Sequence, residues 1–133
     1  MKLKFNGQIS KSFNCNKGVP QGLPLSPFLF GVYMSDIFAP RFQYSRGMSR
    51  LICSYVDDGI IMVAAPTWKL GTQYLGEMVE ECMAVGKLRC VGFEVRKSEW
   101  IGFGTGVWPS LKMGEVMVET AGDIRILGYC FNQ

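Results

Sequence analysis

Residues Leu51–Ala65 read LICSYVDDGIIMVAA, with one acidic pair embedded in apolar sequence. The flanks are rich in β-branched and other apolar residues, which favour strands, whereas aspartate and glycine favour turns. The stretch therefore predicts two buried strands joined at Asp57-Asp58-Gly59.

A helix is predicted directly downstream, from about Thr67 to Lys87. Apolar side chains recur there at spacings of three and four residues, which places them on one helix face. Gly71, Gly76 and Gly86 each disfavour the helix by roughly 1 kcal/mol relative to alanine. The predicted face consists of Leu70, Tyr74, Met78, Cys82 and Val85.

The sequence after Gly92 is strand-like, with glycines and Pro109 between the apolar segments. Alternating or continuous apolar residues bounded by such breakers are typical of short strands. The predicted segments are Phe93 with Val95, Trp100–Phe103, Val116–Val118 and Ile124–Phe131.

The N-terminal residues Met1–Lys17 predict a short hairpin, because polar and apolar residues alternate loosely around an Asn6-Gly7 turn. Together the elements predict one α+β domain over residues 1–133, in which an antiparallel sheet with the Asp57-Asp58 hairpin packs on two helices. No repeat, low-complexity tract or linker indicates a second domain.

Between the hairpins, Gly18–Pro27 is a loop that holds three prolines and two glycines. A helix from about Pro27 to Phe38 follows, with Ser26 as its N-cap. Gln21 is flanked by glycine, so its amide and the neighbouring backbone can approach a nucleotide or template base closely. From this composition alone, a rigid loop that caps a buried helix is the favoured interpretation.

The composition excludes several classes of protein. There are 14 Lys and Arg against 11 Asp and Glu, a formal charge of +3, and no histidine. The absence of histidine excludes a histidine-based triad and a zinc hydrolase, so catalysis would rest on carboxylates, cysteines, lysines or hydroxyls. A chain that is 48% hydrophobic and 19% charged is not typical of disorder. The small positive charge permits nucleic-acid binding without proving it.

The cysteine pattern favours an intracellular protein. Five cysteines are spread without a C-x-x-C pair and no signal peptide precedes them, which favours reduced thiols over disulfides or a thiolate metal site. No uninterrupted run of about 20 apolar residues predicts a membrane span. We therefore expect a nuclear or cytoplasmic protein, neither secreted nor associated with a membrane.

The occurrence of the two neighbouring carboxylates Asp57 and Asp58 within apolar sequence needs a physical explanation. Two carboxylates about 4 Å apart repel by about 4 kcal/mol at an effective dielectric of roughly 20, unless cations neutralise them or water solvates the turn. Mg²⁺ prefers such oxygen ligands, usually one or two carboxylates together with substrate phosphates. From the dipeptide alone, a solvated hairpin turn is the favoured alternative.

Taken together, the loop and the acidic pair resemble the reverse transcriptase family. Gly18–Met34 is similar to its motif B, with G-V-P-Q-G, P-L-S-P, L-F and an aromatic residue. Tyr55-Val56-Asp57-Asp58 is similar to the Y-x-D-D box of its motif C. Asp57 stands 36 positions after Gln21, a separation that suits the palm helix and strand between these motifs in the family.

Weaker matches follow in the order of the family. Lys97-Ser98-Glu99 resembles the Lys-x-Glu of motif D, and Ile126–Tyr129 resembles the Leu-Gly strand beyond it. The P-L-S-P-x-L-F wording, the Y-V-D-D box and the Leu-Gly element are more similar to the non-LTR, LINE-type retrotransposon branch than to the retroviral one. The resemblance covers about Leu3 to Phe131 and implies a partial polymerase palm.

The resemblance implies transfer of a dNTP to the 3′-hydroxyl of a DNA primer on an RNA template, with two Mg²⁺ ions that stabilise the attacking and leaving oxygens. By motif, Asp57 is the main metal ligand and Asp58 completes the acidic turn. Tyr55 lies near the primer end, and Lys97 lies near the triphosphate, where it assists departure of pyrophosphate. The nucleotide and template pocket is lined by Pro20, Gln21 and Gly22.

One departure from the family concerns the metal site. The family also needs an aspartate from motif A, upstream of motif B, and residues 1–17 contain no acidic residue. We therefore expect a truncated palm without fingers, motif A or thumb, whose metal site is incomplete and which is inactive alone. An uncovered sheet edge favours self-association or docking of a chain that supplies motif A. Leu23 also replaces a serine common in these elements, at a position that need not touch the metals.

A second class of function stays open, a non-catalytic nucleic-acid-binding or interaction module, or a degenerate retroelement remnant. Basic residues on one face would contact phosphates, although scattered surface residues are the favoured alternative. For Lys97, the alternative is a solvated residue beside Arg96. The other basic residues are Lys2, Lys4, Lys11, Lys17, Arg41, Arg46 and Arg50.

Overall fold

The computed structural model describes residues 2–14, 18–39 and 47–133. The chain divides into two compact units, Met1–Tyr33 and Met34–Gln133. The described ranges contain two α-helices and several antiparallel two-stranded hairpins, which confirms the α+β class. Within those ranges no helix is both long and apolar enough to cross a membrane.

The first unit begins with the predicted hairpin. Strand β1 (Lys4–Phe5) pairs antiparallel with β2 (Gln8–Ile9). Asn6 and Gly7 both have a positive φ, 49° and 78°. Asparagine and glycine tolerate this left-handed conformation better than other residues, so the dipeptide determines the turn.

Helix α1 spans Ser26–Ser35, close to the predicted Pro27–Phe38. It begins one residue earlier than predicted, since Ser26 is itself helical. The Ser26 hydroxyl donates a hydrogen bond to the carbonyl of Pro20, which ties the preceding loop to the start of the helix.

The second unit contains the hairpin predicted from residues 51–65. Strand β3 (Ser49–Tyr55) pairs antiparallel with β4 (Asp58–Ala64). The turn is Val56-Asp57, so the prediction of a turn at Asp57-Asp58-Gly59 is wrong. The reason is that the second aspartate and the glycine already pair within the β ladder.

Helix α2 spans Trp68–Leu88, within one residue of the prediction. The Thr67 side chain caps it by accepting a hydrogen bond from the Leu70 amide at 3.4 Å. Leu70, which shares the helical spacing of the predicted face, is 47% exposed. The buried members of that face are Tyr74, Met78, Cys82 and Val85.

One face of the β3–β4 hairpin packs on α2, and the other is exposed. The Arg50 guanidinium on β3 donates a hydrogen bond to the Tyr74 hydroxyl at 3.2 Å. Leu51 and Met62 lie opposite each other on the other face, and they are 54% and 44% exposed. Neither strand contains a buried residue, so the prediction of two buried strands is wrong.

The four described cysteines, Cys53, Cys82, Cys90 and Cys130, are free. Burial raises the pKa of the Cys82 thiol, and the Glu81 carboxylate raises it further. A buried thiol with a raised pKa is a poor nucleophile, so Cys82 is a core residue and not a reactive one. Cys15 lies outside the described residues.

An apolar cluster lies around Trp100. The Trp100 indole nitrogen donates a hydrogen bond to the Val118 carbonyl at 3.0 Å, and its ring meets Trp108 edge-to-face with centroids 6.1 Å apart. The other buried members are Leu111 and Met113, with Leu75, Val79 and Met83 of α2 packed against them.

The strands after Gly92 differ from the prediction. Val95–Lys97 is a 3-10 turn, and Trp100 forms only an isolated bridge with Thr120, so neither segment is a strand. Strand β5 (Leu111–Met113) escaped prediction, and it pairs with the predicted β6 (Val116–Val118).

The last predicted segment is a hairpin instead of one strand. Strand β7 (Asp123–Ile126) pairs antiparallel with β8 (Tyr129–Asn132). Leu127 and Gly128 form the turn, with φ values of 49° and 87°. Glycine supplies the left-handed conformation that a two-residue hairpin turn requires.

Candidate functional site

The predicted metal ligands lie at the tip of the β3–β4 hairpin. We call residues Tyr55–Gly59 the acidic turn. Asp57 is the second residue of the turn proper, and Asp58 is the first residue of β4, directly opposite Tyr55. Both aspartates are exposed, and the Tyr55 ring is 62% exposed. The hairpin therefore presents two neighbouring carboxylates and an aromatic ring to solvent.

The donor set of the acidic turn fits part of a magnesium site. Magnesium is usually bound through one or two carboxylates and completes its octahedron with water and substrate phosphates. Asp57 and Asp58 supply such carboxylates. Among residues 2–14, 18–39 and 47–133, no group of three or more acidic or cysteine side chains is placed to hold a metal. The residues fit an open site that other oxygen donors must complete, and not a closed cage.

The backbone of the acidic turn is strained at Val56, whose φ is 55°. An L-residue in this left-handed region is disfavoured by about 1–2 kcal/mol, and a β-branched residue there is an outlier. The Val56 side chain is 51% exposed, so its own burial gives little compensation. The pairing of β3 with β4 therefore holds the turn in a conformation that its sequence disfavours.

A glycine substitution measures this strain. We expect the Val56→Gly variant to have a free energy of unfolding about 1–2 kcal/mol higher than that of the matched Val107→Gly variant. Only the first substitution removes a β-branched residue from the left-handed conformation. Val107 is 85% exposed and has no positive φ, and both substitutions add the same freedom to the unfolded chain. Urea denaturation followed by circular dichroism gives both values. Equal values for the two variants would contradict the strain.

Gly59, the last residue of the acidic turn, lies in close contact with Phe38. A Cβ atom at Gly59 would lie 2.6 Å from Cζ of Phe38, so the backbone of β4 lies directly against that ring. Phe38 is a residue that the sequence reasoning missed. The available signal was the glycine itself, since an isolated glycine in a strand often marks a close approach of another group.

The predicted pocket residues Pro20, Gln21 and Gly22 belong to the first unit, where all three are exposed in the loop before α1. Gly22 has a φ of 89°, and a Cβ there would meet nothing within 4 Å. Its conformation, and not crowding, therefore requires glycine. The structure leaves the edge of Gln21 accessible, as contact with a base would need.

Lys97 belongs to the second unit, as the acidic turn does. It is the last residue of the 3-10 turn Val95–Lys97 and is exposed. Its amide donates to the Glu94 carbonyl at 3.0 Å, so the backbone at this position is ordered by a local hydrogen bond. The ammonium group extends from a fixed point into solvent.

The basic residues do not all share one exposed face. Arg50 is half-buried and donates a hydrogen bond to Tyr74, so its guanidinium points toward helix α2. The N-terminal lysines are exposed in the first unit. The exposed lysines are Lys2, Lys4 and Lys11, whereas Lys17, Arg41 and Arg46 lie outside the described residues.

Comparison with known protein families gives a match over most of the chain. The sequence profile of a family described as reverse transcriptase (RNA-dependent DNA polymerase) matches residues 1–129. The matched range contains every predicted site residue, from Pro20 in the loop to Lys97. No curated protein and no solved structure matches the chain at a significant level.

Proposed function

Because the chain belongs to the reverse transcriptase family, whose members act on nucleic-acid templates and use divalent metals, we propose that its acidic turn is the catalytic turn of a palm fragment. The reaction is transfer of a dNTP to the 3′-hydroxyl of a DNA primer on an RNA template. The P-L-S-P-x-L-F wording and the Leu-Gly element support an origin in a LINE-type retrotransposon.

The observation that carries the proposal is the pair of exposed carboxylates at the tip of a two-residue hairpin turn. Asp57 and Asp58 would hold Mg²⁺ in this fragment. Bound magnesium supplies charge that stabilises the attacking and leaving oxygens of the phosphoryl transfer. The repulsion between the two carboxylates favours cation binding, since a cation removes it.

The remaining site residues have positioning and binding roles in the proposal. Tyr55 offers an aromatic face beside Asp58, suited to stacking at the primer end. Lys97 contributes a positive charge to the triphosphate, on which negative charge develops as pyrophosphate leaves. Gln21, between Pro20 and Gly22, offers a side-chain amide to the base.

On this proposal further oxygen donors would complete the site. Two carboxylates on one turn cannot by themselves surround two metal ions, and residues 1–17 supply no further acid. An upstream segment or a second chain would, on the same proposal, supply the missing aspartate. On this proposal the two units are parts of one truncated palm domain, which works on nucleic acid in the nucleus or the cytoplasm.

Terbium luminescence tests whether the acidic turn binds a hard cation. Tb³⁺ takes oxygen ligands, and the Tyr55 ring opposite Asp58 can transfer excitation to an ion bound there. We expect tyrosine-excited Tb³⁺ emission that Mg²⁺ displaces. Asp57→Asn should weaken Tb³⁺ binding at least about tenfold, which corresponds to about 1.4 kcal/mol.

The matched control for this experiment is Asp123→Asn. Asp123 is an exposed aspartate at the start of β7, so its substitution changes the net charge equally without touching the acidic turn. Its Tb³⁺ affinity should equal that of the unmodified protein. Equal weakening by the two substitutions, or no Tb³⁺ emission from the unmodified protein, would overturn the proposal.

A further inference from the structure

We propose that Phe38 is a positioning residue for the acidic turn, an inference that rests on the proposed role of Asp57 and Asp58 in metal binding. A Cβ at Gly59 would lie 2.6 Å from Cζ and 2.7 Å from Cε1 of Phe38. Real Cβ atoms do not approach other atoms so closely. The ring therefore fills the space behind the first residues of β4, immediately next to the second aspartate.

The Phe38 backbone is tied to the end of α1. Its amide donates to the Met34 carbonyl at 3.3 Å, as the Ile37 amide does at 2.9 Å. Met34 and Ile37 are 3% and 2% exposed, so this turn of chain is anchored on both sides of Asp36 by buried residues. The backbone that carries the Phe38 ring is therefore held in place.

The ring of Phe38 also contacts the segment that follows α2. It meets Phe93 edge-to-face, with centroids 6.4 Å apart and an interplanar angle of 72°. Arg89, the C-cap residue of α2, forms an ion pair with Asp36, two residues before Phe38. Aromatic pairs in this geometry contribute beyond their buried area, whereas an exposed ion pair contributes little. The aromatic contact is the stronger of the two restraints.

A second glycine repeats the arrangement at the other ring. A Cβ at Gly86 of α2 would lie 2.7 Å from Cε2 of Phe93, so Phe93 packs on helix backbone as Phe38 packs on strand backbone. Two rings between two glycines therefore connect α2 to the acidic turn. This packing gives Gly86, which disfavours the helix by propensity, a structural reason to be glycine.

The consequence concerns the carboxylates. Removing the Phe38 ring leaves a space behind Gly59, into which the start of β4 can move, and the two carboxylates then lose their fixed separation. Groups that orient metal ligands without touching the metal typically change its affinity by about 10–100-fold. Phe38 acts on the metal through Gly59 and Asp58, and not by contact with it.

Tb³⁺ affinity of Phe38 variants tests the inference. We expect Phe38→Ala to weaken tyrosine-excited Tb³⁺ binding about tenfold, and Phe38→Leu, which keeps part of the volume, to weaken it less. Phe103→Ala is the control, because Phe103 is 57% exposed in a loop of the same unit. It should leave the affinity unchanged. Circular dichroism identifies any variant that fails to fold, and Phe38→Leu then replaces Phe38→Ala.

A double variant separates positioning from general damage. Gly59→Ala alone should weaken Tb³⁺ binding, because its methyl group collides with the ring, and it should weaken binding much less in the Phe38→Ala background. Contacting residues show such non-additivity, whereas independent ones do not. Additive effects, or a Phe38→Ala affinity equal to that of Phe103→Ala, would overturn the inference and leave the proposed function intact. Absence of Tb³⁺ binding by the unmodified protein would contradict both the inference and the proposed function.

Discussion

The 133-residue polypeptide should leave a DNA primer on an RNA template unextended when Mg²⁺ and all four dNTPs are present. A labelled primer resolved on a denaturing gel measures the extension, with an active reverse transcriptase on the same template as the positive control. We expect the product from the polypeptide to equal that from its Asp57→Asn variant. Both should fall at least about 100-fold below the positive control, since loss of one preorganised electrostatic group alone costs that much.

The reason lies in the number of carboxylates and in their placement. Two-metal phosphoryl transfer needs ions about 3.5–4 Å apart, each bound by oxygen ligands. The acidic turn supplies Asp57 and Asp58 from one hairpin, and no cluster of three acidic or cysteine side chains occurs in the described part of the chain. On the proposed function, the turn would bind a cation without assembling the pair of ions that the chemistry requires.

One result would contradict this expectation, and a second would favour a different function. Extension that disappears in Asp57→Asn would mean that a second copy completes the site, or that the acidic turn is sufficient. Nucleic-acid binding that weakens with salt but is independent of Mg²⁺ and of Asp57 would favour a non-catalytic binding module, because phosphate contacts by Lys and Arg have that salt dependence.

Sequence patterns predicted the elements that are determined by residues close together in the chain. The Asn6-Gly7 turn was predictable because both residues tolerate the left-handed conformation that the turn adopts. Helix α2 was predictable because its buried residues recur at helical spacing over about three turns. The acidic turn was predictable as a candidate site because its two aspartates are neighbours in the sequence, and because the chain around them resembles a known family.

Features that depend on tertiary packing escaped prediction. Propensity argues against Val56 in a left-handed turn, yet pairing of the flanking strands places it there. Strand β5 is three residues long and gains its stability from β6 and from the cluster around Trp100. Phe38 is far from Gly59 in the sequence, and only the fold brings its ring against the glycine.

Trp100→Ala should lower the free energy of unfolding by about 3–5 kcal/mol, the range for truncation of a buried aromatic residue. Trp100 is 5% exposed and belongs to the cluster that joins α2 to β5 and β6. Urea denaturation followed by circular dichroism measures the change. Phe103→Ala in the same segment is the control, and it should change the value by no more than about 0.5 kcal/mol, because Phe103 is 57% exposed. Equal losses in the two variants would contradict the placement of the core.

Trp100→Phe divides this effect between packing and hydrogen bonding. Phenylalanine keeps most of the apolar contact with Trp108 but leaves the Val118 carbonyl without the indole donor that now binds it at 3.0 Å. Loss of a hydrogen bond costs about 0.5–1.5 kcal/mol net, so the free energy of unfolding of Trp100→Phe should lie between those of the unmodified protein and Trp100→Ala. Natural domains are stable by only about 5–15 kcal/mol, and the alanine variant therefore loses a large fraction of the total. Because Trp100 packs on Leu75, Val79 and Met83 while Tyr74 receives the hydrogen bond from β3, the folded fraction of either variant should keep the Tb³⁺ affinity of the acidic turn.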